Sequence, residues 1–256
     1  MLVLLHGFTG SPATWDRVLA AHGLTSALPS ALPSALRPWL PGHGPEPDPV
    51  GPWEDTVRRL DASIARSGAR GAHLVGYSLG GRLAWGLLRL APAWLARATL
   101  IGAHPGLPDL DRPARREADR RHAEVLRTDG LGAFVDRWEA LPIWASQARL
   151  ARQARVDQRR ERMRHRPAAL ADVLTHLGLA EMPDHRPALP AIRTPVTLLV
   201  GAEDERHREL AGAAARRLPA CRLETIPGVG HNPVLEAPEA VAEALRRPPP
   251  TRREVR

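Results

Sequence analysis

The sequence predicts an α/β fold with a mostly parallel sheet, helices on both faces and a helical cap insertion. Three observations support this prediction. Short apolar runs alternate with segments of helical spacing along most of the chain. The run that ends at Val75 leads into a Gly-x-Ser-x-Gly turn and then into a helical pattern. From Asp109 to about Pro187 no strand-like run occurs, so an insertion interrupts the alternation there.

The predicted strands are short continuous apolar runs, a pattern typical of strands buried on both faces of a parallel sheet. They cover residues 2–5, 72–75, 98–101 and 196–200, and a fifth strand is expected over 222–226. Helices are predicted near 15–19, over 54–67 with a stop at Gly68, after Ser78, and over 210–218 and 238–246. Residues 26–50 are rich in proline and are predicted as loops.

The stretch Leu74-Val-Gly-Tyr-Ser-Leu-Gly-Gly-Arg82 is typical of a nucleophile elbow, in which a strand turns sharply into a helix and exposes a serine. Side chains at Gly76 and Gly80 would collide where strand and helix meet, and the turn strains the backbone of Ser78. The helix that follows adds a positive dipole end beside the hydroxyl. The alternative is a chance Gly-x-Ser-x-Gly in a glycine-rich loop.

Ser78, Asp204 and His231 follow the chain order of the Ser-acid-His triad in α/β-hydrolase folds. A serine hydroxyl needs an imidazole to take its proton, and a carboxylate to fix the imidazole tautomer. Two alternatives stay open: His231 as an exposed loop histidine, and Asp204 as part of a solvated acidic turn with Glu203 and Glu205.

An oxyanion formed beside Ser78 needs preorganised hydrogen-bond donors. The backbone amide of Leu79 and the amide of Phe8, in the loop after the first strand, are predicted to supply them. His6 and Gly7 are expected to hold the shape of that loop.

The composition limits the possible functions. The 256 residues suffice for one α/β domain with an insertion, and all 36 basic residues are arginine. Without lysine, a Walker-type phosphate loop and a lysine Schiff base are excluded. The one cysteine, Cys221, precludes an internal disulfide and favours a reducing, cytoplasmic location. No cofactor is expected, and no metal site either, because the histidines and the cysteine lack ligand spacing.

Membrane insertion and nucleic-acid binding are not predicted. No apolar run approaches the roughly 20 residues that span a bilayer, and Met1 to Leu5 leads into His6 without the features of a signal peptide. The isoelectric point near 11.2 suggests nucleic-acid binding. However, an aromatic content of 4% offers few stacking platforms, and no binding motif occurs. The oligomeric state is not predicted.

The net charge of +8 is concentrated in the insertion, where residues 112–166 contain 15 arginines against 8 acidic residues. Arg82 lies one helical turn after Ser78 and can face the same pocket. A single arginine of the cap is expected on a solvated helix face. As a group facing a cleft, Arg115, Arg116, Arg162 and Arg164 suit a small polycarboxylate substrate, since arginine presents two donors to one carboxylate.

Five motifs together resemble the α/β-hydrolase-fold synthase family that makes 2-succinyl-6-hydroxy-2,4-cyclohexadiene-1-carboxylate in menaquinone biosynthesis. These are Leu5-His-Gly-Phe-Thr-Gly10, Pro41-Gly-His-Gly44, Gly76-Tyr-Ser-Leu-Gly-Gly-Arg82, His104-Pro-Gly-Leu107 and Gly230-His-Asn232. The resemblance implies a lyase in which the triad removes a proton and pyruvate is eliminated. It also implies that Tyr77, Arg82, Arg115, Trp138 and Arg162 bind the substrate.

The resemblance leaves an alternative and shows two departures. The same triad would serve a serine carboxylesterase or a carbon–carbon hydrolase acting through an acyl-enzyme. Arg206 stands where the family usually has a lysine, and the leading strands of many relatives are absent, so a compact or truncated sheet is expected. The predicted domains are an α/β-hydrolase core of residues 1–107 and 188–247, a helical cap of residues 108–187, and a disordered tail of residues 248–256.

Overall fold

The computed structural model describes residues 1–24 and 35–251. Within these ranges six strands form one sheet in the order β2-β1-β3-β4-β5-β6, and all five neighbouring pairs are parallel. The strands are β1 (Leu2–Leu5), β2 (Ala35–Leu36), β3 (Ala72–Tyr77), β4 (Leu95–Ile101), β5 (Val196–Gly201) and β6 (Cys221–Ile226). The predicted parallel α/β sheet is therefore confirmed.

Ten α-helices connect and cover the strands over the described residues. They are α1 (Asp16–His22), α2 (Trp53–Arg66), α3 (Leu79–Leu90), α4 (Arg112–Thr128), α5 (Gly130–Glu139), α6 (Arg152–Arg162), α7 (Pro167–Leu177), α8 (Glu205–Arg217), α9 (Pro233–Glu236) and α10 (Pro238–Arg246). Short 3₁₀ segments cover Pro12–Trp15, Asp109–Asp111, Pro142–Arg149 and Arg186–Ala191.

The sheet is buried on both faces, as the continuous apolar runs predict. In β1, Leu2 and Leu4 pack into a core with α1 and α10, whereas Val3 and Leu5 point to the other face, toward α2 and α3. Successive side chains of a strand alternate between faces, so an apolar residue at every position supplies two cores at once. Burying one such side chain is worth about 1.5–3 kcal/mol.

The differences from the sequence prediction are local. The third strand is two residues longer than predicted and the fourth three residues longer, and α8 begins at Glu205 instead of Leu210. The strand β2 was missed because it is only two residues long and lies within the proline-rich stretch. Part of that stretch, residues 25–34, and residues 252–256 of the predicted disordered tail lie outside the described residues.

Every described regular element between β4 and β5 is helical. Helices α4, α5 and α7 share a small core that includes Leu126, Phe134 and Leu170, and Phe8 of the β1 loop packs against it. This shared core, separate from the two cores of the sheet, supports our proposal that residues 108–187 act as a cap. In the described part of the chain, none of the helices combines the length and the apolar character that crossing a membrane requires.

Candidate active site

Ser78 lies on the sharp turn between β3 and α3. Its backbone has φ 50° and ψ −107°, a strained conformation for a residue with a side chain. The glycines allow the turn: a Cβ at Gly76 would lie 2.5 Å from the Gly80 carbonyl oxygen, and one at Gly80 would lie 2.6 Å from that of His6. The strand therefore passes so close to the helix that only glycine fits at these two positions.

The structure brings the three predicted triad residues together at the carboxyl edge of the sheet. His231 Nε2 lies 3.2 Å from Ser78 Oγ, and His231 Nδ1 lies 2.6 Å from Asp204 Oδ2. An ionised carboxylate only accepts hydrogen bonds, so the Nδ1–H donates to Asp204 and Nε2 is left to accept the serine proton. In this arrangement the Ser78 hydroxyl can pass its proton to His231, so its oxygen can act as a base or as a nucleophile.

Burial and hydrogen bonding set the charges of this chain of groups. Burial alone raises the pKa of the Asp204 carboxyl, but hydrogen bonds from His207 and His231 hold that pKa below its ordinary value. Burial lowers the pKa of His231, although the Asp204 hydrogen bond opposes this. The pair is therefore an ionised carboxylate beside a neutral imidazole at neutral pH, which is the state a general base requires.

Local contacts fix the loops that carry the acid and the histidine. Asp204 is the N-cap of α8, where its side chain accepts from the His207 amide. In the loop after β6, the Glu236 carboxylate accepts the backbone N–H groups of Gly230 and Asn232, at 3.0 and 3.2 Å, on either side of the histidine. Both catalytic candidates thus sit on backbone that is hydrogen-bonded in place.

The loop after β1 lies directly against the elbow. A Cβ at Gly7 would lie 3.5 Å from Ser78 Cβ, and Phe8 lines the same cavity as Ser78. His6 is fully buried and holds this loop, since its Nδ1–H donates to the Gly7 carbonyl at 2.9 Å and its Nε2 accepts from the Leu40 amide at 3.2 Å. Leu79, the residue after the serine, is the first residue of α3 and is buried.

A cavity of about 230 Å³ extends from Ser78 between the sheet edge and the predicted cap. Arg82 and Arg115 both line it. Burial, and then the charge of Arg115, lower the pKa of Arg82 to about 9, so it remains protonated at neutral pH. Arg115 Nε donates to Asp119, a buried carboxylate, at 2.9 Å. Two cations and one anion leave this wall with one net positive charge.

The two predicted aromatic site residues also line this cavity. Trp138 stacks on Phe134 with ring centroids 5.5 Å apart. The Tyr77 hydroxyl is buried and makes no hydrogen bond to any described residue, and burial raises its pKa well above the ordinary value. An unpaired buried hydroxyl at the edge of a cavity is a ready hydrogen-bond donor for a ligand.

Arg162 lies at a second cavity, of about 330 Å³, which shares Phe8, Tyr77 and Trp144 with the first. It does not line the cavity that contains Ser78. Its side chain is 5% exposed, pairs with Glu139 at 2.8 Å and lies 5.5 Å over the ring of Trp144. The structure therefore separates Arg162 from Arg82 and Arg115, with aromatic side chains between the two cavities.

Several site residues escaped the sequence analysis. His207 binds Asp204 Oδ1 through Nδ1 at 2.9 Å, and its ring lies 4.5 Å from that of His231. Trp144 packs 5.5 Å from the His231 ring, and Asp119 pairs with Arg115. Two of these residues carried a usable signal. A residue three positions after a helix N-cap, such as His207, faces the capping side chain, and Asp119 lies four residues after Arg115 on the same helix.

The chain is similar to known proteins over nearly its whole length. Residues 2–244 match the model of the Alpha/beta hydrolase family. The 2-succinyl-6-hydroxy-2,4-cyclohexadiene-1-carboxylate synthase of Enterobacter sp. (strain 638) is 35% identical over 246 residues, which cover 95% of this chain and 89% of the relative.

Among solved structures, MenH from S. aureus superposes with a TM-score of 0.85 at 26% identity, covering 95% of this chain and 91% of that one. A thermophilic esterase from Thermogutta terrifontis superposes with a TM-score of 0.79, also at 26% identity, covering 96% and 87%. The chain belongs to the α/β hydrolase family and, within it, to the 2-succinyl-6-hydroxy-2,4-cyclohexadiene-1-carboxylate synthases.

Proposed function

We propose that this protein is the lyase that converts 2-succinyl-5-enolpyruvyl-6-hydroxy-3-cyclohexene-1-carboxylate into 2-succinyl-6-hydroxy-2,4-cyclohexadiene-1-carboxylate and pyruvate. The observation that carries the proposal is the cavity itself: a hydrogen-bonded Ser78–His231–Asp204 chain opens into a space lined by Arg82 and Arg115. The substrate carries several carboxylates, which such a wall attracts. A cytoplasmic location stays a prediction from the single cysteine.

In the proposed mechanism Ser78 acts as the base that removes the ring proton beside the succinyl carbonyl. As that C–H bond breaks, the electron pair moves through the ring double bond and expels the enolpyruvyl oxygen. The serine proton passes to His231 Nε2, and Asp204 stabilises the imidazolium that forms. The leaving enolpyruvate then becomes pyruvate by taking up a proton on carbon.

The backbone N–H groups of Phe8 and Leu79 are the proposed donors to the succinyl carbonyl oxygen while it gains negative charge. Donors of this kind are worth about 2.7–4 kcal/mol each in the transition state. The position of the β1 loop, with Gly7 in contact distance of the elbow, supports this role. Tyr77, Trp138, Arg82 and Arg115 are proposed to bind the substrate, and Arg162 is proposed to bind a carboxylate that reaches the second cavity.

A serine ester hydrolase is the second candidate, favoured by the likeness to the thermophilic esterase at the same 26% identity. In that reaction Ser78 attacks a carbonyl and forms an acyl-enzyme. The two cationic side chains in the cavity have no role toward a neutral ester, which is why we place the lyase first.

Incubation of the purified protein with the enolpyruvyl precursor tests the proposal. We expect release of pyruvate together with a new conjugated-diene absorbance in equal amounts. The Ser78→Ala variant provides the background. Pyruvate release no faster than this background, combined with rapid hydrolysis of neutral esters, would contradict the lyase and favour the hydrolase.

A further inference from the structure

Two histidines, His207 and His231, form hydrogen bonds with Asp204, and the three residues make a compact cluster. A carboxylate oxygen of Asp204 and one ring nitrogen each of His207 and His231 all lie within 4.8 Å of one another. The Nδ1 atoms of the two histidines approach different oxygens of the same carboxylate, at 2.9 and 2.6 Å. Both rings therefore direct the same nitrogen at one shared anion.

We propose that Asp204, His207 and His231 form an inhibitory site for Zn²⁺. Two imidazole nitrogens and a carboxylate oxygen are a donor set that zinc accepts, whereas Mg²⁺ and Ca²⁺ prefer oxygen alone. The ion would bond the Nδ1 atom of each ring and the carboxylate, and the hydrogen on each Nδ1 would move to Nε2 of the same ring. Water would be the fourth ligand of a tetrahedral ion.

The distances are close to those that zinc needs. Bonds of about 2.0–2.1 Å in a tetrahedron place the ligand atoms roughly 3.3 Å apart. The two nitrogen–oxygen separations, 2.9 Å to one carboxylate oxygen and 2.6 Å to the other, would have to widen by about 0.4 and 0.7 Å. The donor atoms already lie within 4.8 Å of one another, so side-chain rotation can bring them around one ion. Entry is open, because both histidines line the cavity and the His207 side chain is 13% exposed.

Zinc at this position would prevent His231 from acting as a base. A metal on Nδ1 of His231 leaves the ring proton on Nε2, and that nitrogen can then no longer accept the Ser78 proton. Inhibition of this kind rests on the proposed function, whereas the binding of zinc rests on the cluster alone. The sequence predicted no metal site because only the fold brings His231 to Asp204 and His207, which are neighbours at the start of α8.

Calorimetric titration of the full-length, chelator-treated protein with zinc chloride tests the site. We expect one bound Zn²⁺ per chain and no response to Mg²⁺. His207→Gln keeps a hydrogen-bond donor but removes a metal ligand. We expect the affinity for zinc to fall by at least about 10-fold, because even the loss of a residue that only hydrogen-bonds to a ligand typically lowers metal affinity by 10- to 100-fold. The control is His122→Gln, which changes another histidine of the cavity and should bind like the wild type.

Two readouts separate the possible failures. In the wild type, bound Co²⁺ should give the visible absorbance of a tetrahedral site, and this band should be absent in His207→Gln. Equal zinc affinity in wild type and His207→Gln, or a loss confined to His122→Gln, would overturn the site and leave the proposed function untouched. Zinc that binds at the cluster without slowing pyruvate release would overturn the inhibition and the role of His231 as the base.

Discussion

The two sides of the site hold their functional side chains in different ways. On the sheet side, Asp204 and His231 follow the ends of parallel strands, and backbone hydrogen bonds fix both loops. On the cap side, Arg115 is placed by a helix and by one carboxylate partner, Asp119. The position of a residue after a parallel strand follows from topology, whereas the direction of a helical arginine depends on which acid it meets.

Several arginines of the proposed cap pair with acids on the surface. Exposed pairs join Arg116 with Glu181, Arg120 and Arg121 with Glu117, Arg127 with Asp172, Arg137 with Asp129, and Arg160 with Asp157. Such pairs typically contribute 0–1 kcal/mol each. Of the four cap arginines considered from the sequence, only Arg115 lines the cavity of Ser78. A surplus of charge along a segment therefore does not locate a binding site.

The largest expected effect concerns the sheet side. Ser78→Ala removes the group that we propose takes the substrate proton, and general-base catalysis typically contributes about 10²–10⁴-fold. We expect a loss of that size in kcat for pyruvate release, measured under saturating precursor. Ser63→Ala, on an exposed position of α2, is the control. A Ser78→Ala variant with near-normal kcat would remove the serine from the mechanism.

Glycine substitutions compare the packing of the two sides. A Cβ at Gly80 meets backbone carbonyl oxygens of the β1 loop, so Gly80→Ala should lower the free energy of unfolding by about 1–3 kcal/mol or more. An added Cβ at Gly132, in α5, would meet no atom within 4 Å apart from the adjoining backbone of its own helix, so Gly132→Ala should raise the free energy of unfolding by about 0.5–1 kcal/mol. Urea denaturation measures both changes, and equal effects would contradict the difference in packing.

Neutralising one cap arginine tests how the substrate is selected. Arg115→Gln keeps a hydrogen-bond donor for Asp119 but removes the charge in the cavity. Charged hydrogen bonds contribute about 1.5–3 kcal/mol, so kcat/KM for the anionic precursor should fall by about 10- to 150-fold. Hydrolysis of a neutral ester, if measurable, should not change. Arg116→Gln, at an exposed surface pair, should alter neither rate by more than about 2-fold.

The smallest effect concerns a buried histidine far from both sides of the site. His73 donates to or accepts from Thr99 at 2.8 Å. Burial, and then the charges of Arg97, His22 and the N-terminus, lower its pKa to about 3. Between about pH 6.5 and 3 the unfolded chain binds a proton that the folded chain does not, so stability falls as the pH falls, by about 1.4 kcal/mol per pH unit.

Urea denaturation at pH 7, 6 and 5 measures this dependence. His73→Gln should have a shallower loss of stability than the wild type, and His176→Gln, on an exposed position of α7, should follow the wild type. Identical slopes in wild type and His73→Gln would show that this histidine does not titrate as its burial implies.

The sequence was sufficient for the fold, and it pointed to three side chains that the structure brings together, because both predictions depend on local patterns. Apolar runs locate the strands, and the glycines of the elbow identify a turn at which larger side chains collide. Partners distant in sequence were not predictable in this way. Trp144, for example, lies 5.5 Å from the ring of His231, which is in a distant part of the chain, and it lines both cavities.

Arg162 shows the same limit within the cap. The resemblance placed it with Arg82 and Arg115, but its direction is set by Glu139 and by the ring of Trp144. Neither contact has a sequence pattern, since Glu139 lies in α5 and Arg162 at the end of α6. A substrate would have to extend from the cavity of Ser78 into the second cavity to reach Arg162.

The most direct test is the mass of the intact protein during turnover. Wild type mixed with excess enolpyruvyl precursor and acid-quenched within one turnover should release pyruvate while the protein keeps its unmodified mass, because Ser78 only moves a proton. A covalent adduct on Ser78 that forms and decays at the rate of turnover would contradict proton abstraction and establish acyl transfer in its place.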